Sequence, residues 1–189
     1  MLKITLFSSL LAISLLVQGC SSEEKSKKTD VITDTHVANN KIILTSTDNK
    51  QFVLKKTDEG YILENSKAQI LILDIFATWC PPCQAEASHL ASLQKKYKDH
   101  IKVIGVTVEE NIPNNKLVTF RNKHNANYTL VNSTENTRLI NEIAKKLQLG
   151  KNFGIPLLVL YKNGKVLKYY QGAVEEEFID SDIKRALGL

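Results

Sequence analysis

Apolar residues fall in short runs along most of this chain, and the spacing within each run tells strand from helix. Ile42-Ile43-Leu44 and Phe52-Val53-Leu54 are separated by Asp48-Asn49-Lys50, a turn composition, which predicts a β-hairpin. Tyr61-Ile62-Leu63 adds a further short strand. Ile70 to Phe76 is almost continuously apolar, as expected of a central strand covered on both faces. From residue 81 to about 98 the period lengthens. Leu90, Leu93 and Tyr97 share one stripe, while Gln94, Lys95, Lys96 and Lys98 lie elsewhere, which is the pattern of a helix. Pro81 suits its first position, where a missing N–H has no partner to lose. Residues 101–108 read as the next buried strand, 115–125 as a helix, 128–131 as a short strand and 134–149 as an amphipathic helix. Two strands, 157–161 and 166–170, flank Asn163-Gly164, a dipeptide that favours a tight hairpin turn. A last helix over about 175–187 is expected to turn Phe178, Ile179 and Ile183 toward the core. This order of strands and helices is α/β.

Ahead of these elements the pattern is different. Lys3 precedes a mostly apolar stretch over 4–17, broken only by Thr and Ser. A spanning helix wants ~20 apolar residues, so this segment reads as the hydrophobic region of a signal peptide. The following Val17-Gln18-Gly19-Cys20 resembles a bacterial lipobox. That resemblance implies a signal peptide over 1–19 and lipidation of Cys20, which anchors the chain to a membrane facing the periplasm. Residues 21–35 are polar and charged, too poor in apolar surface to offset their ordering entropy. Residues 20–40 therefore read as the lipidated cysteine and a flexible tether, and 41–189 as the folded domain.

Composition narrows the class. A chain of 189 residues, 43% hydrophobic and 24% charged, suits one globular domain with appendages. The 25 basic and 20 acidic side chains leave a net charge of +5, spread through lysines such as Lys25, Lys55, Lys95, Lys145 and Lys165. Without a basic face interleaved with aromatics, a nucleic-acid partner is not expected. The three cysteines, Cys20, Cys80 and Cys83, are too few for a structural disulfide framework.

Phe76-Ala77-Thr78-Trp79-Cys80-Pro81-Pro82-Cys83 follows a buried strand and opens a helix, and it resembles the active-site segment of thioredoxins. Gly154-Ile155-Pro156-Leu157 and Tyr161-Lys162-Asn163-Gly164-Lys165 resemble that family's cis-proline loop and terminal hairpin, and Gly172 its glycine before the last helix. The likeness runs from about Lys41 to the C-terminus. The N-terminal hairpin and the long stretch over 109–154 make the chain similar to the TlpA/ResA-like branch of tethered extracytoplasmic thioredoxins. The resemblance implies a thioredoxin fold: a central mixed β-sheet flanked by helices, with an N-terminal β-hairpin and an inserted helix–strand element. It also implies a monomer that exchanges disulfides with protein thiols and is resupplied by a membrane thiol-electron carrier. Its only redox group would be the Cys80–Cys83 pair, with no other cofactor.

Disulfide exchange needs one reactive thiolate and a second thiol to resolve the mixed disulfide. A helix N-terminus favours a negative sulfur, so Cys80 is assigned as nucleophile and Cys83 as resolving thiol. Zinc would need two more Cys or His ligands at short spacing, but His89, His100 and His124 are scattered, so no metal is expected. Neither Pro81 nor Pro82 offers an N–H to the thiolate, which points to a mild reductant or isomerase and away from a strong oxidant. Asp74 interrupts an apolar strand and, by the resemblance, matches the buried acid of thioredoxins that handles the resolving thiol's proton; the alternative is a solvated edge carboxylate. Glu86, one turn beyond Cys83, matches an acid frequent in the TlpA/ResA-like group, or is a solvated charge near the helix start. Members of that group often carry an amide at the Asp74 position, so which acid is the base stays open. By the resemblance, Pro156 is cis and faces the cysteines, and the Ile155 backbone pairs with substrate. Trp79 offers partners an apolar contact, or simply packs. A disulfide reductase, with cytochrome c maturation as one role, is the leading reading. An oxidase or isomerase for exported proteins and a non-catalytic copper-binding or scaffold lipoprotein stand as alternatives.

Overall fold

The computed structural model describes residues 40–150 and 152–189. The signal peptide, the lipidated Cys20 and the tether were read from residues that, up to position 39, lie outside this range. Among the described residues, no helix is long and apolar enough to cross a membrane.

The predicted hairpin is part of a three-stranded antiparallel sheet, β1 (Lys41–Thr45), β2 (Gln51–Lys56) and β3 (Tyr61–Leu63), in the order β1-β2-β3. The main sheet has five strands: β4 (Ile70–Phe76), β5 (Ile101–Thr107), β6 (Thr129–Val131), β7 (Leu157–Lys162) and β8 (Lys165–Gln171). Its order is β6-β5-β4-β7-β8, parallel across β6, β5 and β4 and antiparallel across β4, β7 and β8. Every residue of β4 is buried, as its unbroken apolar run requires. Asn163 and Gly164 both take positive φ, 52° and 81°, which gives the two-residue turn between β7 and β8.

Alternation along β4 divides the interior into two cores. Ile70, Ile72 and Phe76 face one layer, made of α1 (Pro81–Lys96), α2 (Asn114–His124) and α4 (Glu176–Leu187). Leu71, Leu73 and Ile75 face the other, made of α3 (Asn136–Lys146) and the three-stranded sheet. Each such side chain taken fully out of water contributes ~1.5–3 kcal/mol. The chain thus has the expected thioredoxin fold, with α2, β6 and α3 filling the long stretch before the cis-proline. One expectation fails. Phe178 is 63% exposed, while Ile179 and Ile183 are fully buried. On α4 the buried positions are four residues apart, and Phe178 sits about 100° away from Ile179, on the outer face.

The small sheet is held to the main one at both ends. Thr47 N–H donates to Leu130 O at 3.1 Å and Asn132 N–H to Thr45 O at 2.8 Å, so the chain leaving β1, at residues 45–47, covers the open edge of β6. At the other end the Thr57 hydroxyl donates to Gly164 O at 2.5 Å and accepts the Gly60 N–H at 2.9 Å. Thr57→Val keeps the shape but removes both bonds. It should lower stability by ~1–3 kcal/mol in urea unfolding, and an unchanged midpoint would show that this junction contributes nothing.

Candidate active site

β4 delivers the site. Its end at Phe76 leads through Thr78 and Trp79 to Cys80, the N-cap of α1, with prolines at the first two helical positions. Cys80 and Cys83 form a disulfide, with Cα atoms 5.3 Å apart. Because Pro81 and Pro82 lack N–H groups, the first backbone donor of the helix is Cys83, whose N–H lies 3.3 Å from Cys80 Sγ. The Ile155–Pro156 peptide is cis, and Ile155 O lies 3.8 Å from Cys80 Sγ. The two segments are 75 residues apart in the chain. They meet because β7 runs antiparallel to β4 with Leu157 opposite Ile75, so the residue before β7 falls beside the loop after β4.

Exposure is uneven. Cys80 and Cys83 are each 3% exposed, so in the oxidised pair the first cysteine is as covered as the second. Trp79, at 65%, stands out into solvent, and Pro81 and Pro82 are exposed too. Of the two readings for Trp79, packing in the core is thereby set aside.

Both acids are buried. Asp74 lies on the same face of β4 as Ile72 and Phe76, toward α1, and is neither solvated nor at an edge. Tyr128 donates its hydroxyl to Asp74 Oδ2 at 2.8 Å. Burial pushes the Asp74 carboxyl up to about 7, although the Tyr128 bond favours its charged form. Glu86 is 2% exposed on the inner face of α1, one turn past Cys83, and accepts the Val174 N–H at Oε1, 3.1 Å away. Its Oε2 is buried without a hydrogen-bond partner. Burial and then the charge of Asp74 push Glu86 up to about 8. Val174 follows Gly172, whose N–H donates to Pro156 O at 2.8 Å, so Glu86 ties α1 to the strip of chain beside the cis-proline.

Three partners were not foreseen from sequence. Tyr128 reads there only as a strand aromatic. Glu109, just past β5, accepts the Thr78 N–H at 2.6 Å and the Thr78 hydroxyl at 3.0 Å. Gln84 Nε2 donates to Thr78 O at 2.7 Å, so the residue before Trp79 is held at three atoms. A polar residue directly after a buried strand at the catalytic end of the sheet is the one signal that could have singled out Glu109.

The raised acids set a pH dependence. A carboxyl whose folded value lies above its unfolded one binds its proton more tightly when folded. The resulting stability is full below about pH 4 and is lost as pH rises through about 7 for Asp74 and 8 for Glu86. For Asp74 the swing is on the order of 4 kcal/mol. The oxidised protein should therefore unfold at lower urea at pH 8.5 than at pH 5, and Asp74→Asn should flatten that difference. A variant with the wild-type slope would contradict it.

Comparison with known proteins agrees with this fold. Residues 51–187 match the Redoxin family. Thioredoxin of Bacillus subtilis is 32% identical over 59 residues, covering 31% of this chain and 56% of that one, so the chain spans little more than half of this relative. The thiol-disulfide oxidoreductase ResA of Halalkalibacterium halodurans is 24% identical over 135 residues, 68% of this chain and 69% of that one. Among solved structures, a thiol:disulfide interchange protein of the thioredoxin family from Chlorobium tepidum superposes with a TM-score of 0.61. It is 22% identical and covers 79% of this chain and 94% of its own. With more than half of its length matched and the fold in agreement, this chain belongs to the Redoxin family.

Proposed function

We propose that the protein is an extracytoplasmic thiol–disulfide oxidoreductase, tethered to a membrane through lipidated Cys20, that works as a protein disulfide reductase. The observation that carries this reading is the Cys80–Cys83 disulfide at the start of α1, against the Ile155–Pro156 peptide. The similarity to a relative named as a thiol-disulfide oxidoreductase supports the same activity. The lipobox-like Val17-Gln18-Gly19-Cys20 supports the anchor, with residues 41–189 as the working domain.

In the reducing direction, the Cys80 thiolate attacks one sulfur of a substrate disulfide. A Cys80–substrate disulfide forms, and the other substrate sulfur leaves as a thiolate and takes up a proton. Cys83 then gives its proton to a buried carboxylate, and its sulfur attacks Cys80 Sγ. The Cys80–Cys83 disulfide forms, and the second substrate sulfur leaves and is protonated. Two electrons pass to the substrate; its two protons balance the one Cys80 lost to solvent in forming the thiolate and the one Cys83 gave to the carboxylate, and a membrane thiol-electron carrier restores the pair. Asp74 and Glu86 are the candidate acids, Trp79, Pro81 and Pro82 the outer contact surface, and Ile155 the backbone that pairs with the partner's extended chain. The domain acts as a monomer on exported protein thiols, those of cytochrome c precursors among them.

The prolines support the direction. With Cys83 N–H as the first available donor, a Cys80 thiolate gains less from the backbone than in loops with more N–H groups, and a less stabilised thiolate makes a better reductant. The measured potential should lie nearer the ~−270 mV of thioredoxin than the ~−120 mV of the strongest oxidants. A value at the oxidising end would move the assignment to disulfide formation. Insulin reduction with dithiothreitol should vanish in Cys80→Ser, and Cys83→Ala should accumulate mixed disulfides with its partners. Activity independent of Cys80 would overturn the reading.

A further inference from the structure

Asp74 has a partner whose position nothing in local sequence requires. Tyr128 lies 54 residues away, 7% exposed, and among the described residues its hydroxyl is the one hydrogen-bond donor to the Asp74 carboxylate. Three features bring it there. Asn125 takes a left-handed conformation, φ 54°, and ends α2. The next turn is tight, with Asn127 N–H on Asn125 O at 2.7 Å and Tyr128 N–H on Ala126 O at 2.8 Å. The strand residue paired with Asp74 on β5 is Gly105. A Cβ at Gly105 would stand 3.0 Å from Tyr128 Cε2 and 2.7 Å from Leu130 Cδ2, so the ring occupies space that any other residue would take. Helix α2, its left-handed cap and a glycine in a buried strand therefore combine to bring one hydroxyl to one carboxylate oxygen.

We propose that Tyr128 is a positioning residue for thiol–disulfide exchange: by holding Asp74 Oδ2 it fixes the carboxylate and leaves Oδ1 free to take up the Cys83 proton. This rests on the exchange reading given above. The step is balanced: the Cys83 S–H bond breaks, an O–H bond forms on Asp74, and the Cys83 sulfur keeps the electron pair with which it attacks Cys80 Sγ. A hydroxyl can donate to only one oxygen in this geometry, and its bond is strongest to the charged carboxylate. The hydroxyl therefore keeps the carboxylate available as a base in spite of its burial, which opposes the charge. The other groups that face this pair are few. The charge of Asp74 acts on Glu86 of α1, and Glu86 and Arg121 of α2 act on Tyr128. The strand neighbours of Asp74, Gly105 and Leu158, carry no charge.

The test isolates the resolving step. The reduced full-length protein is mixed with excess oxidised glutathione, so that attack by Cys83 limits the rate. Oxidation is followed from pH 5 to 9 by the fluorescence of Trp79, the single tryptophan, which adjoins Cys80. The rate should rise with pH as Asp74 loses its proton. Tyr128→Phe should move that rise to higher pH by about half a unit to one unit, slowing the reaction about three- to ten-fold at pH 6 and restoring it at high pH. 3-Fluorotyrosine at position 128, a stronger donor, should move it the other way while keeping the ring. The shift should persist in Glu86→Gln and disappear in Asp74→Asn. A rise that stays at the wild-type pH in Tyr128→Phe, a uniform loss of rate at every pH, or a shift that survives in Asp74→Asn would overturn the proposal. Loss of the Cys80-dependent signal in wild type would instead overturn the exchange reading itself.

Discussion

The carboxyl of Asp74 sits in the middle of β4, paired with Gly105 on one side and Leu158 on the other, under the helix that carries the cysteines. A polar group in such a place costs several kcal/mol unless it finds a partner or stays protonated. Both remedies are present: a buried tyrosine hydroxyl on one oxygen and a proton affinity raised to near neutrality. The arrangement of the surrounding side chains follows from that requirement. Gly105 leaves the space, Tyr128 fills it, and Phe76 and Phe120, with ring centroids 4.8 Å apart, seal the side toward α2.

The second constraint is geometric. Two distant stretches meet at the redox pair because β4 and β7 are adjacent and antiparallel, so the end of one strand is the start of the other. The loop between β4 and α1 closes on itself with the Cys80 N–H on Ala77 O at 3.2 Å, and it is fastened by Glu109 and Gln84 at Thr78. Trp79 follows this fastened residue and still projects into solvent. A rigid base under an exposed aromatic lowers the ordering cost of binding a partner chain, which suits the proposed docking surface.

Glu86 brings a different kind of coupling. Its Oε1 holds the Val174 N–H, and Gly172, two residues earlier, is bonded to Pro156 O. The redox helix, the cis-proline loop and the start of α4 are thus linked through one carboxylate whose second oxygen is unpartnered. Asp74 and Glu86 are close enough for the charge on one to oppose ionisation of the other, so the pair is best suited to holding a single negative charge.

Local pattern alone was enough for the strands, the helices, the Asn163-Gly164 turn and the Cys80-x-x-Cys83 pair at a helix start, because each depends on residues within a few positions of one another. The lone acid in an apolar strand was legible too, since an Asp among Ile and Leu is costly wherever the strand is buried. Phe178 shows the limit of such pattern: two adjacent apolar residues near a helix start, Phe178 and Ile179, do not reveal which of them lies under the sheet. That Glu86 is buried, that Glu109 fastens Thr78 and that Tyr128 reaches Asp74 were decided only by tertiary structure. Each depends on which strand lies beside which, and on the space a glycine leaves across a sheet. Such information resides in pairs of residues 31 to 88 positions apart, and no local period encodes it.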